Sequence, residues 1–151
     1  MDEISKIINH CRHREYMSGI ERDADRIKRT SEVFTTTDDV NYMLDKYDPI
    51  IFSDPTKTFL DPTAGDGQVL SEVLIRKVEA GIDFETALST IFGVEKEIDN
   101  CKLCQDRLLC GREDLRHIVE KNVINGDSLT YHYKFDGTPP PNISTFSELF
   151  D

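Results

Sequence analysis

The sequence contains no apolar run long enough to cross a membrane, so a membrane-spanning protein is not expected. Its first residues, Met1-Asp2-Glu3-Ile4, lack the basic residues and the apolar stretch of a secretory signal. The cytoplasm is therefore the expected location. Of the 151 residues, 38% are hydrophobic and 31% are charged, which is typical of one folded domain and argues against a disordered chain.

The chain also lacks an excess of basic residues. It has 18 Lys and Arg against 29 Asp and Glu, a net charge of −11. Residues 1–37 hold seven basic and seven acidic side chains, whereas residues 38–151 hold 11 basic and 22 acidic ones. Nucleic-acid-binding proteins usually present a basic face. Contact with DNA is therefore expected only through the mixed N-terminal segment or through a partner protein.

A second pair of closely spaced cysteines is missing as well. The chain has four cysteines, at Cys11, Cys101, Cys104 and Cys110. Cys101 and Cys104 have the C-x-x-C spacing of a zinc site, but such a site needs four ligands and usually a second pair. The other cysteines, or His10 or His13, would have to complete it in space. The single pair favours the alternative, in which Cys101 and Cys104 are small buried residues on one helix face.

Two glycines stand close together in the middle of the chain, where residues 59–67 read Phe-Leu-Asp-Pro-Thr-Ala-Gly-Asp-Gly. Apolar residues then follow at helical spacing, at Val69, Leu70, Val73, Leu74 and Val78. The pattern predicts a strand, a tight loop and a helix. Asp61 would lie where the strand ends, at the usual ligand edge of an open α/β sheet. The alternative is an ordinary strand-to-helix turn.

Two further apolar runs lead into acidic residues. Residues 91–96 predict a buried strand ending at Glu95, and residues 122–125 predict a strand followed by a turn that contains Asp127. With residues 57–61 they predict an α/β sheet of about three parallel strands with helices on both faces. A carboxylate at a strand end can accept hydrogen bonds from both hydroxyls of a ribose.

The N-terminal part of the chain predicts helices. Residues 3–29 have helical spacing, with Ile4, Ile8 and Cys11 on one face. The interleaved charges that begin at Arg12 favour a solvated face with ion pairs, and the alternative is a helix that touches phosphate. In the segment that follows, Thr37 is predicted to cap a helix.

The loop at residues 61–67 resembles the cofactor loop of class I S-adenosylmethionine-dependent methyltransferases, and most closely that of the DNA adenine-N6 enzymes of restriction–modification systems. Three other segments fall in that family's order: Glu-Val-Phe-Thr at 32–35, Val-Glu-Lys at 94–96 and Gly-Asp-Ser-Leu at 126–129. The resemblance extends from about residue 29 to 135. It implies a partial Rossmann-like methyltransferase fold and S-adenosylmethionine, or S-adenosylhomocysteine, as the cofactor.

By this resemblance, Phe34 and Thr35 surround the methionine end of the cofactor, Glu95 holds the ribose, Asp127 accepts the adenine amino group and Leu129 packs on the ring. The cofactor-binding set that it implies is Phe34, Thr35, Thr36, Asp61, Thr63, Gly65, Gly67, Glu95, Lys96, Asp127, Ser128 and Leu129. A dinucleotide site is a weaker alternative, because the third glycine of its fingerprint is missing.

The family's Asn/Asp-Pro-Pro-Tyr/Phe motif, which binds the target amino group and stacks on the flipped base, is missing. In its place residues 138–142 read Thr-Pro-Pro-Pro-Asn, with no apolar strand before them. No catalytic residue is assigned, and whether the chain is an enzyme stays open. We expect a helical segment at 1–30, a cofactor-binding domain at 31–130 and a tail at 131–151.

Two functions are consistent with this pattern. One is an S-adenosylmethionine-binding protein of the DNA adenine-N6 methyltransferase type that lacks the methyl-transfer motif. The other is a non-catalytic module: a cofactor sensor, a partner subunit or an acidic decoy that mimics DNA. A sheet of three strands also leaves an edge open, which the tail, a second copy or another subunit would cover.

Overall fold

The computed structural model describes residues 2–13 and 35–140. The helices and strands follow one another as α1 (Glu3–Cys11), α2 (Thr37–Leu44), α3 (Ile50–Ser53), β1 (Phe59–Asp61), α4 (Gln68–Glu79), α5 (Phe84–Ser89), β2 (Ile91–Glu95), α6 (Ile98–Leu109), a 3-10 turn (Glu113–Leu115), α7 (Arg116–Asn122) and β3 (Val123–Asn125). Each of the three predicted strands is present. None of the described helices is both long and apolar enough to cross a membrane.

The strands form one parallel sheet in the order β1-β2-β3. Phe59 pairs with Ile91 across the first two strands, and Gly93 pairs with Val123 across the second and third. The prediction of an α/β fold with three parallel strands is therefore confirmed. Because the strands run the same way, their carboxyl ends lie at one edge of the sheet, and the loops that follow them meet there.

The helices of the described residues pack against one face of the sheet, not both as predicted. Phe59, Ile91 and Val123 point into the main core, which the helices share. Successive strands here are neighbours in one direction, and right-handed crossovers in one direction place their helices on the same side. Prediction from the alternating pattern of strands and helices could not detect this, because helices on either side give the same pattern.

Aromatic residues of the C-terminal part cover the other face. Val94 and Ile124 pack there with Tyr131, and the ring of Phe135 lies 4.9 Å from that of Phe92. The Phe135 backbone N–H donates to the Tyr131 hydroxyl at 2.8 Å. The described residues from 131 to 140 contain no strand, and within the described residues β1 has one neighbouring strand and one open edge.

The N-terminal helices differ from prediction in the capping residue of α2. Thr36 caps α2, since its hydroxyl accepts a hydrogen bond from the Asp39 N–H at 3.1 Å; the prediction that Thr37 is the cap is wrong by one residue. The buried face of α1 carries Ile7 and Cys11, whereas Ile4 is 38% exposed. Residues 14–29 of the predicted helix lie outside the described residues.

At Gly93, strand β2 packs directly against the glycine loop and α4. A Cβ atom at Gly93 would lie 2.8 Å from Leu70 Cδ1 and 2.9 Å from Ala64 Cβ. We therefore expect Gly93→Ala to lower the free energy of unfolding by about 1–3 kcal/mol, the usual cost of overpacking a core. Urea unfolding measures the change.

The Leu70→Ala variant provides the control for this prediction. Truncation of Leu70 opens space beside the new methyl group, so adding Gly93→Ala to Leu70→Ala should cost less than adding it to the wild type. Equal costs in the two backgrounds would show that the Leu70 contact does not limit the space at position 93.

Candidate functional site

Three loops meet at the carboxyl edge of the sheet, and backbone hydrogen bonds tie them together. The Ala64 N–H in the loop after β1 donates to the Val94 oxygen at 2.9 Å, and the Gly126 N–H after β3 donates to the Glu95 oxygen at 3.0 Å. Neighbouring strands are about 4.8 Å apart, so β1 and β3 are separated by roughly 10 Å across β2. The edge therefore presents three acidic residues in a row, at Asp61, Glu95 and Asp127.

Asp61 forms a turn with Thr63. Its Oδ1 atom accepts hydrogen bonds from the Thr63 N–H at 3.0 Å and from the Thr63 hydroxyl at 3.3 Å. Within residues 2–13 and 35–140, the other carboxylate oxygen has no hydrogen-bond partner. Burial raises the pKa of Asp61, and the two hydrogen bonds from Thr63 oppose that rise. Such a carboxylate gains from a cationic or hydroxyl partner that restores its lost hydration.

Glu95 and Lys96 form the middle of the site. The Glu95 Oε1 atom accepts a hydrogen bond from the Lys96 N–H at 3.0 Å. Prediction from the sequence missed Asn125, whose Nδ2 atom donates to the backbone oxygens of Glu95 and Lys96 at 3.0 and 2.9 Å. Its position as a polar residue at the end of a predicted strand was the feature of the sequence that could have indicated this role. Asn125 thus fixes the end of β2 against the end of β3.

The turn after β3 places the third acidic residue. The Asp127 Oδ1 atom accepts a hydrogen bond from the Leu129 N–H at 2.8 Å, and the backbone oxygen of Ser128 accepts one from the Tyr133 hydroxyl at 2.6 Å. The side chain of Leu129 is 91% exposed. Leu129 is thus open to solvent next to a carboxylate that a backbone N–H holds in place.

The threonine segment lies next to the start of α4. The Gln68 Nε2 atom donates to the Thr37 hydroxyl at 2.9 Å, which joins the first residues of α2 and α4. The predicted site residues Thr35 and Thr36 directly precede Thr37 in the sequence. Phe34, the third predicted residue of this segment, lies outside the described residues.

The two glycines of the loop have different surroundings. Gly65 has a φ of 57°, and a Cβ atom there would meet open space, with no atom beyond its chain neighbours within 4 Å. Gly67 has a φ of 94°, and a Cβ there would lie 3.1 Å from the Cys104 sulfur. Gly67 is therefore required by its backbone conformation and by packing on α6. Gly67 also occupies the capping position of α4, where no side chain caps the helix.

A buried ion pair beneath the loop was not predicted. Asp66 and Arg107 are 5% and 0% exposed, with Arg107 Nη1 3.6 Å from Asp66 Oδ1. Arg107 also donates from Nε to the Cys11 oxygen at 2.6 Å and from Nη2 to Gln68 Oε1 at 2.7 Å. Arg107 thereby links α1, the loop and the start of α4. Its spacing with Leu108 and Cys104 on one helix face was the signal that the position is buried.

A cleft of about 420 Å³ lies away from this edge, beside the second half of α4. Arg12, Asn41, Glu72 and Arg76, which line it, are joined by hydrogen bonds. Arg12 donates to both oxygens of the buried Glu72 at 2.6 and 3.1 Å, and Asn41 Nδ2 donates to Glu72 at 2.8 Å. Arg12 is exposed, as the predicted solvated face requires, but the predicted local ion pair is wrong there, because its partner Glu72 lies 60 positions away.

The cysteines lie in the core or at helix ends. Cys101 and Cys104 are 1% and 0% exposed, and burial raises the pKa of Cys101 to about 12. The Cys101 thiol donates to the Val123 oxygen at 3.8 Å, while Cys104 packs on Gly67. Both positions fit the interpretation of small buried residues on a helix face.

Comparison of the chain with protein-family models, with curated proteins and with solved structures finds no match. The function of the chain is therefore inferred from the geometry of the carboxyl edge and from the residues placed there. That edge combines three carboxylates, a glycine loop at a helix start and an exposed apolar side chain.

Proposed function

We propose that this chain binds S-adenosylmethionine, or its demethylated product S-adenosylhomocysteine, through the cofactor half of a Rossmann-like fold of the DNA adenine-N6 methyltransferase type. One observation carries the proposal. Asp61 ends β1, Glu95 ends β2 and Asp127 follows β3 by two residues, so the carboxyl edge of one parallel sheet carries an acidic residue at each strand, in the chain order that the sequence resemblance implies. Open α/β sheets bind their ligands at this edge.

The chemistry of the three acidic residues fits successive parts of the cofactor. The carboxylate oxygen of Asp61 that has no hydrogen bond among the described residues suits the cationic amino group of the methionine part. Glu95 would accept hydrogen bonds from the ribose hydroxyls. Asp127 would accept a hydrogen bond from the adenine amino group, and the exposed Leu129 would cover the ring. The roughly 10 Å across the sheet from β1 to β3 leaves room for an extended nucleoside with its side chain.

We propose further that this chain does not transfer the methyl group alone. The motif that holds a target amino group is not present in its 151 residues. Of the described prolines that stand in its place, Pro139 is exposed and Pro140 is half-buried against Gly126, where a built Cβ would lie 3.1 Å from Pro140 Cβ. These observations favour a non-catalytic cofactor-binding module, such as a sensor or one subunit of a larger enzyme. DNA would then be contacted through the partner.

The open edge of β1 is the proposed place for a second copy or a second subunit. Leu60, in the middle of that strand, is 43% exposed. Its strand has a neighbour on one side only among the described residues. An unpaired strand edge with an exposed apolar side chain favours association. The acidic decoy is the less favoured alternative, because the carboxylates at the sheet edge are fixed by specific hydrogen bonds.

Calorimetric titration of the full chain with S-adenosylmethionine and S-adenosylhomocysteine tests the proposal. We expect binding in the micromolar range. The dissociation constant of Asp61→Asn should be at least ten-fold higher, which corresponds to a loss of about 1.4 kcal/mol of binding free energy. Asp54→Asn is the matched control. Asp54 forms the same kind of turn, with Thr56, but lies before β1 and away from the carboxyl edge.

The pH dependence of binding gives a second readout for the same residue. Burial raises the pKa of Asp61, so its carboxylate takes up a proton at a higher pH than the ordinary value of 3.8. Only the ionised form pairs with an amino group, so affinity is full above the raised pKa and falls as the pH drops through it. Asp61→Asn should remove this dependence. If the wild type binds neither compound, the cofactor proposal is wrong.

A further inference from the structure

Two cysteines that are 99 positions apart in the sequence meet at the ends of two helices. Cys11 is the last residue of α1, and Cys110 directly follows the last residue of α6. Their sulfur atoms are 3.7 Å apart. Each thiol also lies against the backbone oxygen of Arg107, at 3.7 Å for Cys11 and 3.5 Å for Cys110. The two thiols therefore face each other around a single backbone group.

We infer that Cys11 and Cys110 are a modification site: a dithiol that closes to an intramolecular disulfide by exchange with a low-molecular-weight disulfide such as oxidised glutathione. A disulfide requires a sulfur–sulfur distance of about 2.05 Å, so the sulfurs must approach by roughly 1.7 Å. Both residues lie at helix ends, where rotation of the side chains and a small backbone shift disturb few helical hydrogen bonds. The pair is separate from the carboxyl edge, and the inference does not depend on the proposed cofactor.

The exchange proceeds in two steps. The sulfur of Cys110, which is partly exposed whereas Cys11 is buried, attacks one sulfur of oxidised glutathione; the glutathione disulfide bond breaks and one glutathione thiolate leaves. The sulfur of Cys11 then attacks the Cys110 sulfur of the mixed disulfide and releases the second glutathione. Two electrons pass from the protein to glutathione, and the two thiol protons end on the released glutathione molecules.

The structure also identifies which cysteines stay reduced. Cys101 and Cys104 have the spacing of a redox motif, but they lie inside α6 and their thiols face different elements. Burial raises the pKa of both thiols, which lowers the fraction of reactive thiolate. A hydrogen bond with Cys110, together with burial, also raises the pKa of Cys11. Closure of the Cys11–Cys110 disulfide should therefore become faster as the pH rises.

Oxidation of the reduced full chain with an excess of oxidised glutathione tests the inference. We expect the free thiols of the denatured product to fall from four to two. Intact mass should show the loss of two hydrogens without a glutathione adduct, and peptide mapping should join the peptides of Cys11 and Cys110. Because the new link closes a long loop, the melting temperature should rise by about 10 °C. Addition of a reductant should restore the melting temperature of the reduced protein.

Two variants make the test specific. Cys11→Ser should stop at a glutathione adduct on Cys110, whereas Cys101→Ser should still form the Cys11–Cys110 link. Mapping of the wild type decides the matter if either variant fails to fold. The inference is overturned by a link between Cys101 and Cys104, by an adduct on Cys110 that never closes in the wild type, or by four thiols that stay free.

Discussion

Replacing Arg107 with leucine is expected to lower the free energy of unfolding by about 3–5 kcal/mol, the usual result of removing one partner from a buried ion pair. Arg107 is fully buried, and its Nη1 atom lies 3.6 Å from a carboxylate oxygen of Asp66. Leucine would leave Asp66 buried without this positive charge. It would also remove the hydrogen bonds to the Cys11 oxygen and to Gln68. Chemical denaturation followed by circular dichroism measures the loss.

Arg112→Leu is the matched control. Arg112 also pairs with an aspartate, since its Nη2 atom lies 2.9 Å from Asp114, but both side chains are largely exposed. An exposed pair is screened by water, so this variant should unfold almost like the wild type. A comparable loss of stability in Arg107→Leu and Arg112→Leu would show that burial of the Arg107 pair has no special effect.

A double-mutant cycle separates the ion pair from the other contacts of Arg107. In the Asp66→Asn background the buried negative charge is gone, so Arg107→Leu should cost less than it does in the wild type. The remaining cost would report the bonds to Cys11 and Gln68, which hold α1 and the start of α4. Arg107→Lys keeps the charge but loses the planar group of donors, so it should fall between the wild type and Arg107→Leu.

The Asp66–Arg107 pair also shows where prediction from the sequence ended. The strands were predictable because each is a short apolar run next to turn residues, and the acidic residues at their ends follow from the same runs. Asp66 and Arg107 are 41 positions apart, and the sequence around either residue does not predict that they pair. Helical spacing indicates only that the position of Arg107 is buried. The partner is fixed by packing of α6 against the loop.

Packing also decided what each loop glycine does. The sequence resemblance places both Gly65 and Gly67 in the cofactor-binding set. Gly65 faces open space, whereas Gly67 packs on Cys104. The close neighbour of Gly67 is therefore a residue of α6 and not a ligand. The mistaken cap at Thr37 has a simpler cause, because neighbouring threonines can each serve as a cap.

The largest expected effect on ligand binding belongs to Glu95, if the chain binds S-adenosylmethionine as proposed. Hydrogen bonds to a charged acceptor contribute about 1.5–3 kcal/mol each, against about 0.5–1.5 kcal/mol for a neutral acceptor. Glu95→Gln would weaken two bonds to the ribose hydroxyls. We expect the dissociation constant for S-adenosylhomocysteine to rise on the order of 100-fold, since two bonds each lose about 1.4 kcal/mol. Calorimetric titration measures this change.

A cofactor analogue without the two ribose hydroxyls makes the Glu95 prediction specific. The wild type should bind this analogue much more weakly than S-adenosylhomocysteine, whereas Glu95→Gln should bind the two compounds more nearly alike, because the charge that favours the hydroxyls is gone. Glu97→Gln is the matched control, since it removes the same charge just before α6 and should keep the preference of the wild type. If Glu95→Gln also keeps that preference, Glu95 does not hold the ribose, even where Asp61→Asn has shown that the carboxyl edge binds the cofactor.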